Sequence, residues 1–310
     1  MKKFFNIILS LILCACCMFS FSACDDKTVN KDNIINPRNE TIKVGYIDYA
    51  PLNYMYKGKF TGFNTKLAIS VFNTLGYNVD FVLVEPVDED RRVVTEEDVF
   101  EALDKNEITC FWGALTDAVL NDTDKFYFSY NYMENSPCLV VDNGTSIDNI
   151  SHFEGKTIAF GQSSSGEFYF NDFLSNIPDI DFIKCEKGQK SALHKANSPI
   201  EDVDCAIVDT LCAYYNLEKT SEYGNLVLNT ANNPNAYQIG QKNYLRVAFK
   251  KDAVGEELKT LVNKTLEFFA STTKTVNNKT VSLLEYLAVG ETYTLAELKD
   301  FIIKDFSSQN

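Results

Sequence analysis

The chain has few basic residues. It holds 29 Lys and Arg against 43 Asp and Glu, which gives a formal net charge of −14 at pH 7. Nucleic-acid phosphates are bound by clusters of Lys and Arg, and the sequence contains no such cluster. The charge balance therefore argues against nucleic acid as a partner and is ordinary for a soluble exported protein.

Residues and motifs typical of catalysis are also scarce. The two histidines are His152 and His194, and neither has a plausible catalytic or metal-binding partner nearby in the sequence, which favours surface roles. HExxH, GxSxG and P-loop motifs are absent. We therefore expect no catalytic residue, no metal and no cofactor.

The cysteines form no recognisable framework. Four of the nine lie among the first 24 residues, and five remain: Cys110, Cys138, Cys185, Cys205 and Cys212. An odd number without CxxC spacing predicts neither a disulfide scaffold nor a zinc site. Cys110, Cys138 and Cys205 lie in apolar runs, where a thiol packs as a small hydrophobe. A single bridge between Cys205 and Cys212 stays open as an alternative.

Residues 1–23 have the pattern of a targeting segment, with a basic start and a long apolar run. Such a run, at about 20 residues, could also span a bilayer as an anchor. Small residues, Ser22 and Ala23, directly precede Cys24, which favours cleavage and resembles a bacterial lipoprotein signal. We expect Cys24 to carry lipid on the extracytoplasmic side of the cell membrane, with residues 24–40 as a flexible tether.

Strand and helix patterns alternate along the chain that follows. Residues 41–48 (TIKVGYID) and 78–85 (NVDFVLVE) read as strands, and the helical pattern between them ends at Gly76. A capping box at Thr95 opens the next helix. This order predicts an α/β fold with a parallel sheet covered by helices.

The same pattern begins again in the second half of the chain. Residues 155–162 and 202–209 read as strands followed by helices, and 256–269 is an amphipathic helix. Residues 237–252 are extended but too long for one ordinary strand. Two α/β units in tandem are predicted, and ligands of such sheets bind at the carboxyl ends of strands.

Three features at such strand ends could belong to a site. Ser163–Gly166 could form an anion-binding corner, although a simple helix N-cap is the preferred interpretation. Asp209 ends the strand CAIVD and could bind an ammonium group or cap the helix that begins near Thr210. Tyr49, after the first strand, could form a pocket wall or pack within its loop.

A polar turn follows the strand near Cys110. It holds Asp117, Asn121, Asp122 and Asp124, with no basic residue before Lys125. These acids either face water or line a site that accepts positive charge.

The order of these landmarks resembles the family 3 extracellular solute-binding proteins of amino-acid ABC transporters, over roughly residues 41 to 270. The segments that carry the resemblance are IKVGYIDYAPLNY, GKFTGFNTKLAISVFNTLGYNVDFV, GALT, KFYFSYNYMENSPCLVV, GKTIAFGQSSSGE and VDCAIVD. It implies a type II periplasmic-binding-protein fold with two α/β lobes, two hinge crossings and a ligand cleft. Lobe 1 would be 41–138 plus 247–295, lobe 2 would be 139–246, and 296–310 would be a C-terminal helix or tail.

The resemblance also implies roles for single residues. Tyr49 takes the place of the aromatic ring that stacks on the ligand. Ala114 would offer its carbonyl oxygen and Thr116 its hydroxyl. Asp209 matches the acid that pairs with the α-ammonium group.

The carboxylate end of the implied site is incomplete. Ser164 and Ser165 match the pair that holds the ligand carboxylate. The family's arginine, five residues beyond the position of Thr116, is replaced by Asn121, or by Asp122 if the turn carries one inserted residue. That arginine makes a strong charge-assisted pair with the carboxylate. Its loss favours neutral or cationic amine ligands over glutamate and aspartate, unless another cation reaches in; Lys125 and Arg246 are the two candidates.

The resemblance thus implies a lipid-anchored substrate-binding component of an ABC importer. It would bind an amino acid or amine, act as a monomer, deliver its ligand to a membrane permease and catalyse nothing. Two alternatives stay open, namely an enzyme like cyclohexadienyl dehydratase on the same fold, and a ligand-sensing module for a membrane receptor.

Overall fold

The computed structural model describes residues 40–87, 93–218, 222–229, 239–276, 278–288 and 301–309. The predicted signal segment, Cys24 and nearly all of the tether lie outside the described residues. Within these ranges, no helix is both long and apolar enough to cross a membrane.

The first part of the chain forms most of lobe 1. Its elements are β1 (Thr41–Tyr46), β2 (Tyr54–Tyr56), β3 (Lys59–Thr61), α1 (Phe63–Thr74), β4 (Asn78–Leu83), α2 (Glu96–Asp104), β5 (Cys110–Phe111) and β6 (Phe126–Phe128). The short strand β7 (Met133–Glu134) then leads out of this lobe.

Lobe 2 follows as a second α/β unit. Its elements are β8 (Pro137–Asp142), a 3-10 turn (Ile150–Phe153), β9 (Thr157–Gly161), α3 (Ser165–Tyr169) with a π-helical extension (Phe170–Leu174), β10 (Asp181–Cys185), α4 (Gln189–Ala196), β11 (Cys205–Asp209), α5 (Thr210–Glu218) and β12 (Leu226–Leu228).

The chain then returns to lobe 1. The returning elements are β13 (Tyr244–Leu245), β14 (Ala248–Lys250), α6 (Ala253–Ser271), β15 (Thr273–Val276), β16 (Lys279–Ser282), α7 (Leu283–Ala288) and a 3-10 turn (Ser307–Gln309). The long extended segment 237–252 therefore contains two short strands in its described part.

Each lobe is built on a five-stranded mixed sheet. The order is β4-β1-β5-β14-β6 in lobe 1 and β10-β9-β11-β8-β12 in lobe 2. The predicted parallel pairing holds for β1 with β4 and β5, and for β9 with β10 and β11. Both sheets are mixed rather than the parallel sheet that the strand and helix order predicted, because β14 and β8 pair antiparallel with β5 and β11 where the chain passes between lobes. The residue-level lobe boundaries stay a prediction.

Local sequence signals explain where the helices of lobe 1 begin and end. Gly76 has φ 84°, donates its N–H to the Asn73 carbonyl at 3.0 Å, and is followed by Tyr77, which donates to Phe72 at 2.9 Å. This is the Schellman arrangement that ends a helix. At the start of α2, Asp98 accepts hydrogen bonds from the Thr95 N–H and hydroxyl at 2.7 and 2.8 Å, as the capping box predicts.

The five described cysteines are free and buried. No bridge joins Cys205 on β11 to Cys212 on α5. The apolar environment explains why these thiols are buried without bridges, because a buried thiol packs as a small hydrophobe.

The two crossing strands pair with each other and with the C-terminal segment. Residues of β7 and β13 form an antiparallel pair, Tyr244 with Glu134 and Leu245 with Met133. On the other edge of β7, the Glu134 N–H donates to the Phe301 carbonyl at 2.7 Å. The first described residues of the predicted tail, 301–303, therefore pack as an extended segment beside the hinge, and a 3-10 turn follows at Ser307–Gln309.

Candidate functional site

A cavity of about 640 Å³ lies between the two lobes. Loops that follow β1, β4 and β5 form one wall, and loops that follow β9, β10 and β11 form the other. These are carboxyl ends of strands, where α/β sheets bind ligands. Six of the residues predicted from the sequence line this cavity: Tyr49, Ala114, Thr116, Ser164, Ser165 and Asp209.

Asp209 is the best-connected acid of this cavity and is only 3% exposed. Its Oδ1 accepts a hydrogen bond from the Ser165 hydroxyl. Its Oδ2 accepts from Gln189 Nε2 at 2.6 Å, Asn135 Nδ2 at 3.3 Å and the Tyr49 hydroxyl at 3.3 Å. Burial raises the pKa of Asp209 to about 6, although these hydrogen bonds act to lower it. All four donors are neutral, so the carboxylate has hydrogen bonds but no countercharge among them.

The structure assigns the capping of α5 to another residue. The N–H of Leu211 donates to Asn135 Oδ1 at 3.1 Å, and the N–H of Thr210 donates to the Ser136 carbonyl at 2.9 Å. Asp209 accepts from neither amide in these contacts. Its carboxylate is therefore turned toward the cavity network rather than toward the helix that follows it.

The two serines are already hydrogen-bonded inside the protein. Ser164 is the N-cap of α3, with its hydroxyl accepting from the Glu167 N–H at 3.3 Å and donating to the Gly161 carbonyl at 2.6 Å. The Glu167 carboxylate accepts from the Ser163 N–H at 2.6 Å. An acidic side chain of the protein therefore occupies part of the corner that could have held an anion.

Thr116 offers an unused hydroxyl. The residue is 2% exposed, lines the cavity, and its Oγ1 makes no hydrogen bond within the described part of the chain. A buried hydroxyl without a partner is costly. A polar ligand group in the cavity would satisfy it.

Asn121 and Asp122 do not line the cavity. Their backbone N–H groups donate to Glu96 Oε1 at 2.7 and 2.8 Å, which fastens the turn to the start of α2. Asp122 Oδ1 accepts in turn from the Asp124 N–H at 2.8 Å. The polar turn after β5 is thus held against a helix end, away from the ligand side of the loop.

Neither of the cations considered as a substitute for the arginine reaches the cavity wall. Lys125 pairs with Glu97 at 2.6 Å. The Arg246 guanidinium lies 3.7 Å over the Phe128 ring and donates to the Leu120 carbonyl at 2.9 Å. Both side chains are engaged elsewhere in lobe 1.

Several charged residues of the cavity were not predicted. Asp48 and Glu85 line it from lobe 1, and Lys187 and Lys190 line it from lobe 2. Burial raises the pKa of Asp48. Among the described residues of the wall, the three acidic groups, Asp48, Glu85 and Asp209, outnumber the two lysines.

Two hydrogen-bond partners of Asp209 were also missed. Gln189 begins α4 and Asn135 lies between β7 and β8. The position of Gln189 could have been suspected, because it follows the carboxyl end of β10, a parallel neighbour of β9. No sequence signal pointed to Asn135. Among the described residues, no group of His, Cys, Asp and Glu is placed to hold a metal ion.

The solved structures that this fold resembles include substrate-binding and amino-acid-binding proteins. A Streptococcus pneumoniae ABC uptake transporter substrate-binding protein with bound histidine is 21% identical, with a TM-score of 0.58, over 74% of this chain and 87% of that one. An ancestral arginine-binding protein bound to arginine is 21% identical, with a TM-score of 0.57, over 74% and 92%. The ancestral amino acid-binding protein AncCDT-1, a precursor of cyclohexadienyl dehydratase, is 22% identical, with a TM-score of 0.54, over 72% and 86%.

The sequence itself defines the family. Residues 42–279 match the model of the bacterial extracellular solute-binding proteins, family 3. The chain belongs to this family, and its fold is the one found in the solute-binding proteins described above. A comparison with curated protein sequences gave no significant match.

Proposed function

We propose that the chain is the substrate-binding component of an ABC importer and that its ligand is an amino acid or derivative with a free amine. The observation that carries this proposal is Asp209, a buried carboxylate in the cavity between the lobes with four neutral donors around it. An ammonium group would supply the charge complement that these donors lack. Tyr49 of lobe 1 would close over the same group.

The charges of the cavity support a neutral or cationic ligand. Asp48 and Glu85 lie in the lobe 1 wall, and no arginine is among the described residues that line the cavity. An acidic ligand side chain would face these carboxylates in a partly desolvated cleft, where repulsion is poorly screened. The ligand's carboxylate would contribute less to binding than its amine.

A calorimetric screen of matched ligand pairs tests this proposal. We expect glutamine to bind at least about tenfold more tightly than glutamate, a difference of roughly 1.4 kcal/mol. Agmatine, which is arginine without its carboxylate, should keep most of arginine's affinity, whereas N-acetylated arginine should lose it. Tight binding of glutamate, or equal binding of the acetylated compound, would contradict an amine-directed site.

We further propose that Cys24 carries the lipid that holds the chain to the extracytoplasmic membrane face, where it delivers its ligand to a permease as a monomer. The junction FSAC and the polar segment behind it support this. Cys24→Ala should release the protein into the soluble fraction or block its processing. An intact N-terminus beginning at Met1, found by mass spectrometry in the wild type, would show that no such processing occurs.

Binding without catalysis is part of the same proposal. The dehydratase alternative requires a carboxylated ring substrate, and such a substrate needs a cation where the family arginine is missing. A sensing role would use the same ligand site with a membrane receptor in place of a permease. Loss of amine uptake on deletion of the gene supports the transport role, and unchanged uptake would favour sensing.

A further inference from the structure

Gln189 contacts Asp209 at two points. Its Nε2 donates to Asp209 Oδ2 at 2.6 Å, and its Oε1 accepts from the Asp209 backbone N–H. The other two donors to Oδ2, Asn135 and Tyr49, are both at 3.3 Å. Gln189 is therefore the shortest and the only two-point contact among these three.

Two glycines place Gln189 beside the acid. Gly188 has φ 80°, a left-handed conformation that lets the chain turn sharply into α4. A Cβ on Gly161, at the end of β9, would lie 2.7 Å from the Gln189 backbone nitrogen. Because Gly161 has no side chain, α4 can begin directly against the strand end. The fold thus brings the glutamine to the end of β11.

The hydrogen bonds distribute unevenly over the carboxylate. Oδ2 accepts from three donors, whereas Ser165 is the one donor to Oδ1 among the residues that the structure describes. A carboxylate oxygen offers about two lone-pair sites. Oδ2 is saturated, and Oδ1 keeps acceptor capacity for an incoming N–H group.

Burial keeps the tyrosine and cysteine side chains around Asp209 neutral near physiological pH, because it raises their pKa values. Burial raises the pKa of Tyr49, on the loop after β1, and of Cys138, on β8, well above their ordinary values. Burial raises the pKa of Cys212, on α5, to about 12. Two lysines line the same cavity, Lys187 in the loop after β10 and Lys190 on α4.

We propose that Gln189 is a positioning residue that fixes the carboxylate of Asp209 so that Oδ1 is presented to the amine of the ligand. The assignment of a ligand amine rests on the proposed function. The pair of hydrogen bonds between Gln189 and Asp209, called the clamp below, is a property of the ligand-free protein. Gln189 therefore acts on affinity through Asp209, and its loss removes the shortest of the three hydrogen bonds that hold Oδ2.

An exchange of the two side-chain types tests the clamp without any ligand. Gln189→Glu keeps the shape and the acceptor but places a second carboxylate against Asp209, and two such groups share a proton rather than both ionise. Its melting temperature should fall more steeply than that of the wild type as the pH rises above about 6. When Asp209→Asn is added, the new asparagine amide can donate to the new glutamate, which restores a donor–acceptor pair with reversed polarity. The double variant should recover most of the loss in melting temperature.

Gln162→Glu is the matched control. Gln162 lines the same cavity but is not among the residues hydrogen-bonded to Asp209. It should show a shallower pH dependence of melting and no recovery when combined with Asp209→Asn. Identical profiles for the two glutamate variants, or no recovery in the exchanged pair, would overturn the clamp.

A binding measurement tests the positioning role. With the tightest amine of the calorimetric screen, Gln189→Leu should weaken binding by about tenfold or more and Gln162→Leu by less. Equal losses would overturn the role of Gln189. If the exchanged pair recovers while every amine in the screen fails to bind, the positioning of a ligand amine is overturned along with the proposed function, and the clamp alone stands.

Discussion

Asp209→Asn should weaken amine binding by a factor of about 30 to several thousand. Removal of one partner from a buried charge pair costs about 2–5 kcal/mol, and about 1.4 kcal/mol corresponds to tenfold in affinity. Asparagine keeps the size of the side chain but offers an ammonium no negative charge. Calorimetry near neutral pH measures the loss, and thermal melting verifies the fold. An unchanged dissociation constant would remove Asp209 from the ligand site.

The pH dependence of the wild type provides a second measure of the same residue. The pKa of Asp209 is raised from 3.8 to about 6 in the folded protein, so the folded state holds this proton more tightly than the unfolded state. The resulting stability is fully present below about pH 4 and is lost as the pH rises through about 6. An ammonium ligand needs the ionised form, so its binding should weaken by up to about tenfold per pH unit below pH 6. Asp209→Asn should remove this residue's contribution to both trends.

Gly62→Ala should lower the free energy of unfolding by about 3 kcal/mol or more, since backbone strain and overpacking each cost about 1–3 kcal/mol. Gly62 has φ 122°, and an added Cβ would lie 2.1 Å from the Leu52 carbonyl oxygen. Leu52 donates its N–H to the Tyr49 carbonyl at 2.8 Å, so the displaced loop is the one that carries the ligand-facing tyrosine. Urea unfolding measures the change in the free energy of unfolding. Ligand affinity at low temperature measures the displacement of the loop that carries Tyr49.

Gly58→Ala separates the cost of backbone strain from the cost of the steric clash with Leu52. Gly58 also has a positive φ, 76°, but nothing lies within 4 Å of its added Cβ. Its cost should be limited to the left-handed backbone, about 1–2 kcal/mol. If the two alanine variants unfold at the same urea concentration, the contact between Gly62 and Leu52 contributes nothing.

The parts of the fold that could be predicted are those set by residues close in sequence. The helix stop at Gly76 and the capping box at Thr95 are local, because each is decided by groups within a few positions. The direction of β14 is not local. It depends on the return of the chain from lobe 2, and periodicity in residues 237–252 contains no information about the partner strand.

The candidate site shows the same division. The order of the motifs was enough to assign Tyr49 and Asp209 to the site, and in the structure the Tyr49 hydroxyl lies 3.3 Å from Asp209 Oδ2. Asn135 and Gln189 meet the acid only through tertiary packing across 74 and 20 positions. The sequence could not show which way the polar turn faces. Its orientation is decided by a hydrogen bond to Glu96, 25 positions before Asn121.

The segment beside the hinge has a mechanical consequence. Strand β7 is hydrogen-bonded on one edge to β13 and on the other to the C-terminal residues, where Ile303 also donates its N–H to the Tyr132 carbonyl at 3.0 Å. Two crossing strands without hydrogen bonds between them could twist independently. Three hydrogen-bonded segments are expected to resist shear between them and to rotate together as one rigid unit. We therefore expect opening of the cleft to use torsions just beyond these three segments, and residues 301–303 to influence the direction in which the lobes part.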